Sequence, residues 1–147
     1  MSVPVSSILD AKGHEVHTVE ETASIGDVAE ALADRGIGAL VVLDAGGAVT
    51  GIASERDVVR AVAADGPAAL EQPVTSVMAA PVTTCALTTT TTELAAMMTA
   101  GRVRHLPVLD EGRLVGIVSI GDVVKSRIDE LAVQAESLER YVTGTAY

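Results

Sequence analysis

Two short segments of the sequence place a serine and an aspartate three residues apart, directly after an apolar run. The first is Gly-Ile-Ala-Ser54-Glu-Arg-Asp57 and the second is Gly-Ile-Val-Ser119-Ile-Gly-Asp122. We expect each serine to lie where a strand ends and a helix begins, and a helix N-terminus favours an anion such as phosphate. The serine hydroxyl can donate to the same anion, and the carboxylate can accept hydrogen bonds from hydroxyl groups. This pattern indicates recognition of a ligand.

The same spacing also has a structural interpretation. Ser-x-x-Asp is the spacing of a capping box, in which a hydroxyl and a carboxylate satisfy backbone N–H groups at the start of a helix. Ser24 and Asp27 show it without a preceding Gly-Ile strand, and Thr90 and Glu93 show it in related residue types. Capping alone therefore stays open as an alternative to ligand binding, and one residue can serve both roles.

Residues suited to catalysis or metal binding are few. The histidines are His14, His17 and His105, the only cysteine is Cys85, and no Gly-x-Ser-x-Gly, Walker or metal-ligand spacing occurs. We therefore predict that the protein is not an enzyme and has no catalytic cofactor or metal. One cysteine also excludes an intrachain disulfide, which favours a reducing compartment.

Composition narrows the class of protein further. The chain has 147 residues, 48% of them hydrophobic, and no run approaches the roughly 18 apolar residues of a membrane helix. The first ten residues contain no Lys or Arg and do not resemble a secretory signal. The net charge is −10 and the aromatic residues are Tyr141 and Tyr147, which disfavours nucleic acid as a partner. We predict a soluble cytoplasmic protein with no membrane partner.

The segments that position the Ser-x-x-Asp pairs are themselves repeated. Residues 51–61 match residues 116–126 at six of eleven positions, an offset of 65. Further matches join residues 40–44 to 106–110 at an offset of 66, and residues 5–9 to 74–78 at an offset of 69. We place one repeat at 1–65, a linker at 66–69, a second repeat at 70–128, and a C-terminal helix and tail at 129–147.

Each repeat predicts the order helix, strand, helix, strand, strand, helix, which is an α/β (α+β) fold. The expected segments are lead-in helices at 5–9 and 74–78, short strands at 16–19 and 82–85, and in the first repeat two strands at 39–43 and 49–53. The last helix continues with apolar residues at alternating spacings of four and three, namely Val124, Ile128, Leu131, Ala135, Leu138 and Val142. This seam indicates either a tail helix packed on its own domain or a helix that pairs across a homodimer.

The paired Gly-Ile-x-Ser-x-x-Asp motifs, each preceded by a strand ending in Leu-Asp, resemble the cystathionine β-synthase (CBS) domain. Two such repeats in tandem resemble a Bateman module, and residues 103–108, Val-Arg-His-Leu-Pro-Val, are similar to another recurrent CBS signature. The resemblance covers residues 3–128. It implies a regulatory sensor of adenosine ligands, with two repeats packed about a pseudo-twofold axis, nucleotide clefts between them and no catalytic chemistry.

Transferred residue by residue, the resemblance implies that Asp57 and Asp122 bind ribose and that Ser54 and Ser119 bind phosphate. It also implies phosphate contact near Arg104 and His105. Arg104 suits phosphate because its guanidinium is a planar fork of donors, with a solvated strand edge as the alternative. We expect His105 to be a polar wall of the cleft and Arg102 to lie on the surface. The adenine walls are expected to be Thr84, Cys85 and Pro107 in one repeat, and Thr18 and Val41 in the other.

The two repeats differ at these positions. Where the second has Arg104 and His105 the first has Gly38 and Ala39, so the second cleft is the better candidate, although Arg56 can compensate in the first. The predicted function is an energy or redox sensor that binds AMP, ADP, ATP or NAD(H). It would act as a homodimer and signal to an unidentified regulated protein. The alternative is a ligand-independent structural or interaction module that acts through dimerisation.

Overall fold

The structure is a computed structural model that describes residues 2–144 of the chain. Met1 and the end of the predicted tail, residues 145–147 with Tyr147, lie outside the described residues. The mixed α/β class is confirmed. The helices and strands, in chain order, are α1 Val5–Lys12, β1 Thr18–Glu20, α2 Ile25–Arg35, β2 Ala39–Leu43, β3 Val49–Ser54, α3 Glu55–Asp65, β4 Cys85–Ala86, α4 Thr91–Gly101, β5 His105–Asp110, β6 Arg113–Ser119 and α5 Ile120–Thr143.

The strands form two three-stranded sheets with the orders β1-β2-β3 and β4-β5-β6. In the first sheet β1 runs parallel to β2, with Thr18 opposite Val41, and β2 runs antiparallel to β3. In the second sheet β4 runs parallel to β5, with Cys85 opposite Val108. The first strand of each repeat is thus joined to the second through a helix, as a parallel pair requires.

The first strand of each repeat is shorter and later than predicted. β1 covers Thr18–Glu20 instead of 16–19, and β4 covers only Cys85–Ala86 instead of 82–85. β4 ends where Thr89 closes a turn, since the Thr89 hydroxyl accepts from the Ala86 N–H at 3.0 Å and the Thr89 N–H donates to the Ala86 carbonyl at 3.1 Å.

Two connecting segments also differ from expectation. The second lead-in, predicted as a helix over 74–78, is a 3-10 helix of three residues, Val74–Ser76. Residues 66–69, expected as a linker, begin a 3-10 helix, Gly66–Glu71, which has a proline in its first turn and a fully buried Ala69. This segment therefore belongs to the folded core, because Ala69 packs with Ile25 and Ala61.

The described residues form two compact units, and neither coincides with a sequence repeat. The α5 unit contains the chain up to His14, Thr84–Asp110 and the chain from Gly116. The α3 unit contains Glu15–Thr83 and Glu111–Val115. Consequently α1, the lead-in of the first repeat, lies in the α5 unit with β4 and β5, whereas the lead-in Val74–Ser76 of the second repeat lies with β1, β2 and β3.

The lead-in of each repeat thus packs with the strands of the other repeat, and we call this arrangement the exchange of lead-ins. Equivalent hydrogen bonds hold the two lead-ins in place. The Val5 N–H donates to the Thr89 carbonyl at 2.7 Å, and the Val74 N–H donates to the Ala23 carbonyl at 2.8 Å. Val5 and Val74 are equivalent at the offset of 69, and Ala23 and Thr89 are equivalent at the offset of 66. The two repeats thus make the same exchange in both directions.

The glycine of each Gly-Ile motif provides the space for this exchange. A Cβ atom at Gly116 would lie 2.7 Å from Leu9 Cδ1, and one at Gly51 would lie 2.5 Å from Met78 Sδ. Leu9 and Met78 are equivalent residues of the two lead-ins. A glycine in each strand therefore admits the lead-in of the other repeat.

Both units have an aliphatic core. In the α3 unit a cluster joins strands, helix α2 and the second lead-in through Val28, Leu32, Leu40, Val42, Ala53 and Val74. In the α5 unit the buried hydrophobic residues include Val5, Leu9, Leu94, Leu106, Val108 and Val118.

Candidate functional site

The corner between β6 and α5 brings together three of the nine predicted site residues, namely Arg104, Ser119 and Asp122. The Ser119 N–H donates to Asp122 Oδ2 at 2.8 Å, and the Asp122 N–H donates to Ser119 Oγ at 3.2 Å, so the pair forms a complete capping box. The Ile120 N–H donates to the Arg104 carbonyl at 2.8 Å. This bond places Arg104 beside the first residues of α5. A serine, a carboxylate and the backbone of an arginine thus lie together at one helix N-terminus, which we call the Ser119 corner.

The approach to β5 supplies the remaining polar residues of this corner. Arg104 precedes β5 and is exposed, whereas His105 begins the strand and is half-buried. Arg102, two residues before Arg104, is the C-cap of α4 in the left-handed conformation with a φ of 52° and is exposed, as expected for a surface residue.

Sequence reasoning missed one residue of the Ser119 corner. Lys12, the last residue of α1, donates from Nζ to Asp122 Oδ2 at 2.8 Å and to the Ile117 carbonyl at 3.0 Å. The side chains of Lys12 and Asp122 are 34% and 20% exposed. No local pattern could have indicated this contact, because 110 residues separate the two partners.

Asp122 is held as a carboxylate. Partial burial acts to raise the pKa of its carboxyl group, but hydrogen bonds from Lys12 and Ser119 and the positive charge of Lys12 outweigh that effect. The pKa of Asp122 therefore lies below its ordinary value. At neutral pH the group is an acceptor only, which suits hydroxyl donors.

The expected adenine walls of the second repeat lie in the same unit. Thr84 is half-buried immediately before β4, and Pro107 is buried within β5. Cys85 donates from Sγ to the Pro107 carbonyl at 3.7 Å, and burial raises the pKa of its thiol to about 11. The thiol is therefore protonated at neutral pH, and this cysteine is not poised as a nucleophile.

The corner between β3 and α3 has the same capping serine and aspartate, but it has no arginine at the position of Arg104. Asp57 Oδ2 accepts from the Ser54 N–H at 2.8 Å and from the Ser54 hydroxyl at 3.0 Å. The Glu55 N–H donates to the Gly38 carbonyl at 3.0 Å. Gly38 thus occupies the place of Arg104, and it has no side chain to bind a ligand. Arg56 is exposed on the first turn of α3.

The expected adenine walls of the first repeat, Thr18 and Val41, lie directly opposite each other in the parallel pair. Thr18 is exposed, but Val41 has no exposed surface. Val41 therefore offers no surface to a ligand in this conformation.

Capping occurs at every predicted Ser-x-x-Asp position. Ser24 and Asp27 form a complete capping box at α2, as Ser54 and Asp57 do at α3. At α4 the structure shows the hydroxyl half, in which Thr90 Oγ1 accepts from the Glu93 N–H at 3.3 Å. Asp27 is exposed, whereas Asp57 and Asp122 are half-buried after a strand. The capping interpretation is therefore correct for all three pairs, and a ligand role would be additional to it.

A groove that the sequence did not indicate runs between α1 and α5. Its volume is about 420 Å³, which is within the range of small-molecule sites. Its walls are largely apolar, with Ile8 and Val133 among them, and Lys12 and Asp122 lie at the end nearest the start of α5. The Ser119 corner thus continues into an apolar groove.

Two further findings concern residues 2–144. No group of three or more His, Cys, Asp or Glu side chains in this range is arranged to hold a metal ion. Within the same range, no helix combines the length and apolar character needed to cross a membrane.

Two repeats with the same strand-helix corner and exchanged lead-ins define a tandem CBS-domain module. The sequence profile of the CBS domain matches residues 5–64 and 74–129. The chain therefore belongs to the CBS-domain family.

Individual relatives agree with this assignment. The chain is 31% identical over 153 aligned positions to "CBS domain-containing protein CBSX3, mitochondrial" of Arabidopsis thaliana, covering 97% of this chain and 73% of that protein. The crystal structure of the CBS-domain containing protein ATU1752 from Agrobacterium tumefaciens superposes with a TM-score of 0.82 at 50% identity, covering 86% of this chain and 95% of that one. The CBS domain protein PAE2072 from Pyrobaculum aerophilum, complexed with AMP, superposes with a TM-score of 0.73 at 30% identity, covering 82% and 89%.

Proposed function

We propose that this protein is a non-enzymatic regulatory sensor that binds an adenosine-containing ribonucleotide at the Ser119 corner. The observation that carries the proposal is that the Ser119–Asp122 pair lies at the N-terminus of α5, where the backbone of Arg104 is hydrogen-bonded to Ile120. The structure of a 30% identical relative complexed with AMP supports the choice of ligand class.

Each residue has a definite role in this proposal. The Asp122 carboxylate accepts hydrogen bonds from the ribose hydroxyls, because it is ionised and partly accessible. Ser119 and Arg104 bind the phosphate, the first through its hydroxyl and the second through its guanidinium fork. His105, Thr84 and Pro107 border the base, the last only after some opening because it is buried.

The corner at Ser54 and Asp57 is the weaker of the two sites. It retains the hydroxyl and the carboxylate, but Gly38 replaces Arg104, and the cation nearest to Asp57 in sequence is Arg56. We therefore propose one dominant site, in the second repeat, for AMP, ADP, ATP or NAD(H). Binding would change the conformation or self-association of a cytoplasmic homodimer, and a regulated protein would read that state.

The three capping boxes provide a matched test. The variants Asp122→Asn, Asp57→Asn and Asp27→Asn each alter the carboxylate of one box, but only the first two alter a proposed ribose ligand. Isothermal titration of the full chain with AMP, ADP, ATP, NAD and NADH gives the affinity of each variant. A carboxylate that accepts two hydroxyls contributes about 1.5–3 kcal/mol, so we expect Asp122→Asn to weaken binding by about tenfold to a hundredfold.

The controls decide between ligand binding and helix capping. Asp27→Asn should leave the affinity unchanged, and Asp57→Asn should change it much less than Asp122→Asn. The proposal fails if the wild-type protein binds none of these ligands at millimolar concentration. It fails equally if Asp27→Asn and Asp122→Asn weaken binding to the same extent, since the effect would then be one of capping.

The apolar seam of α5 favours a second function, self-association. Five of its residues are 49–75% exposed, namely Val124, Ile128, Leu131, Leu138 and Val142. A helix with exposed apolar residues at heptad spacing is typical of a coiled-coil partner. In this alternative the chain is an interaction module whose dimerisation does not depend on a ligand.

Substitutions on and off the seam test this alternative. Leu131→Asp and Leu138→Asp place charges on the seam, whereas Val133→Asp places one on an off-seam position that is 61% exposed. If α5 pairs across a dimer, sedimentation velocity should show that the first two variants are monomers and that the third keeps the wild-type mass. Equal masses for all three variants would exclude pairing through the seam.

A further inference from the structure

Lys12 forms an ion pair with Asp122, the carboxylate that the proposed function assigns to ribose. Its ammonium group bridges the Ile117 carbonyl of β6 and Asp122 Oδ2 of α5, at 3.0 Å and 2.8 Å. Both partners belong to the α5 unit. The contact therefore joins the end of α1 to the centre of the Ser119 corner.

Asp122 Oδ2 already accepts from the Ser119 N–H at 2.8 Å. A carboxylate oxygen has two lone-pair sites, so the Ser119 amide and the Lys12 ammonium fill those of Oδ2. The Ser119 amide is fixed by the helix cap. A ribose that donates one hydroxyl to each oxygen of the Asp122 carboxylate must therefore replace the Lys12 ammonium at Oδ2.

The first repeat provides the contrast. α1 extends to Lys12, whereas the lead-in of the second repeat forms only a 3-10 helix, Val74–Ser76, and residues 77–81 after it contain no lysine or arginine. There the second hydrogen bond to Asp57 Oδ2 comes from the hydroxyl of Ser54 itself, at 3.0 Å. A serine hydroxyl can rotate away without displacing a charge, whereas the lysine must leave an ion pair.

Once displaced from Asp122, the Lys12 ammonium is stabilised if another anion lies within its reach. Lys12 is one of two lysines, and the Ser119 corner is where the proposed ligand would place its phosphate, beside Ser119 and Arg104. A 5′-nucleotide brings this anion with it, but a nucleoside does not. The flexible four-carbon stem of lysine allows the ammonium to move from Asp122 to the phosphate.

We propose, on the basis of the proposed function, that Lys12 is a specificity-determining residue that makes the Ser119 corner select 5′-phosphorylated ribonucleotides over nucleosides. Ribose binding breaks the ion pair between Lys12 and Asp122, which weakens the binding of a nucleoside. A ligand phosphate compensates for this loss because it forms a new ion pair with Lys12. The ammonium is thus exchanged between an internal carboxylate and the phosphate of the ligand.

The test compares AMP with adenosine by isothermal titration on the full chain. Breaking an ion pair of this exposure changes a binding constant by at most about fivefold. We expect Lys12→Met to raise the affinity for adenosine by about threefold and to lower that for AMP by about threefold. The preference for AMP over adenosine should then fall by about tenfold.

Three controls make the result specific. Arg140→Met removes a cation near the end of α5 that pairs with Glu136 at 2.8 Å and does not line the groove, and it should keep the wild-type preference although it changes the net charge equally. Lys12→Arg keeps a cation at the site and should retain most of the preference. In an Asp122→Asn background, Lys12→Met should no longer raise the affinity for adenosine.

The possible failures are distinguishable. If the wild-type protein binds neither AMP nor adenosine, the proposed function is wrong. If it binds AMP and Lys12→Met keeps the wild-type preference, or weakens both ligands equally, the role of Lys12 is wrong while the proposed function stands. Thermal unfolding of each variant confirms that it is folded, and the AMP-to-adenosine ratio cancels any loss of active protein.

Discussion

Substitution of Gly116 by alanine tests the exchange of lead-ins directly. The backbone of Gly116 does not need glycine, because its φ is outside the left-handed region. The only obstacle is space, since the added Cβ would lie 2.7 Å from Leu9 Cδ1 and 2.8 Å from Leu9 Cδ2. Leu9 is fully buried and cannot turn aside into solvent. Overpacking of this kind costs about 1–3 kcal/mol.

The specific prediction concerns the combination with Leu9→Ala. That substitution alone removes both Cδ atoms and leaves a cavity, at a cost of about 2–5 kcal/mol. In its background the Cβ of Gly116→Ala fills part of the cavity, so the second substitution should cost less than about 0.5 kcal/mol. The double variant should therefore be more stable than the sum of the single variants by about 1–3 kcal/mol.

Urea unfolding followed by circular dichroism measures these free energies, since the chain has no tryptophan for fluorescence. The control pairs Leu9→Ala with Gly51→Ala, whose Cβ would meet Met78 Sδ at 2.5 Å instead. These two substitutions should be additive. A coupling below about 0.5 kcal/mol between positions 9 and 116, or an equal coupling between 9 and 51, would refute the exchanged packing.

Two other predictions concern titratable groups. The depressed pKa of Asp122 means that its charge stabilises the folded state at neutral pH and that this contribution is lost as pH falls through the acid range. The difference in unfolding free energy between wild type and Asp122→Asn should therefore become smaller as the pH falls from about 6 to about 3. A difference that stays constant over this range would contradict the ion pair between Asp122 and Lys12. The buried Cys85 thiol, with its pKa raised to about 11, should react with a thiol reagent at pH about 8 at least a hundredfold more slowly in the native protein than in urea. Immediate labelling of the native protein would show that Cys85 is accessible.

Local patterns were sufficient to predict most of the elements. The two Gly-Ile-x-Ser-x-x-Asp motifs located the strand-helix corners, and the Ser24 and Thr90 spacings located two helix starts, because capping depends on residues within one turn. The CBS resemblance, carried by the same motifs, is confirmed by the match of the family profile.

Features that depend on distant residues could not be predicted in the same way. The limits of β1 and β4 depend on where a parallel partner lies, and the buried Ala69 depends on Ile25 and Ala61. The contact between Lys12 and Asp122 joins two residues whose own neighbours carry no sign of each other. The sequence therefore located the serine and aspartate of the candidate site but not the lysine that pairs with the aspartate.

The exchanged lead-ins also bear on how such a chain can be divided or built. A fragment that ends between residues 66 and 73 would contain β1, β2 and β3 but not the Val74 segment that packs on Ala23, and the other fragment would lack α1. Each fragment holds the piece that the other needs, so the two should fold on mixing and not separately. By the same geometry, a chain of one such repeat could complete its core only by giving its lead-in to a second copy and receiving one in return.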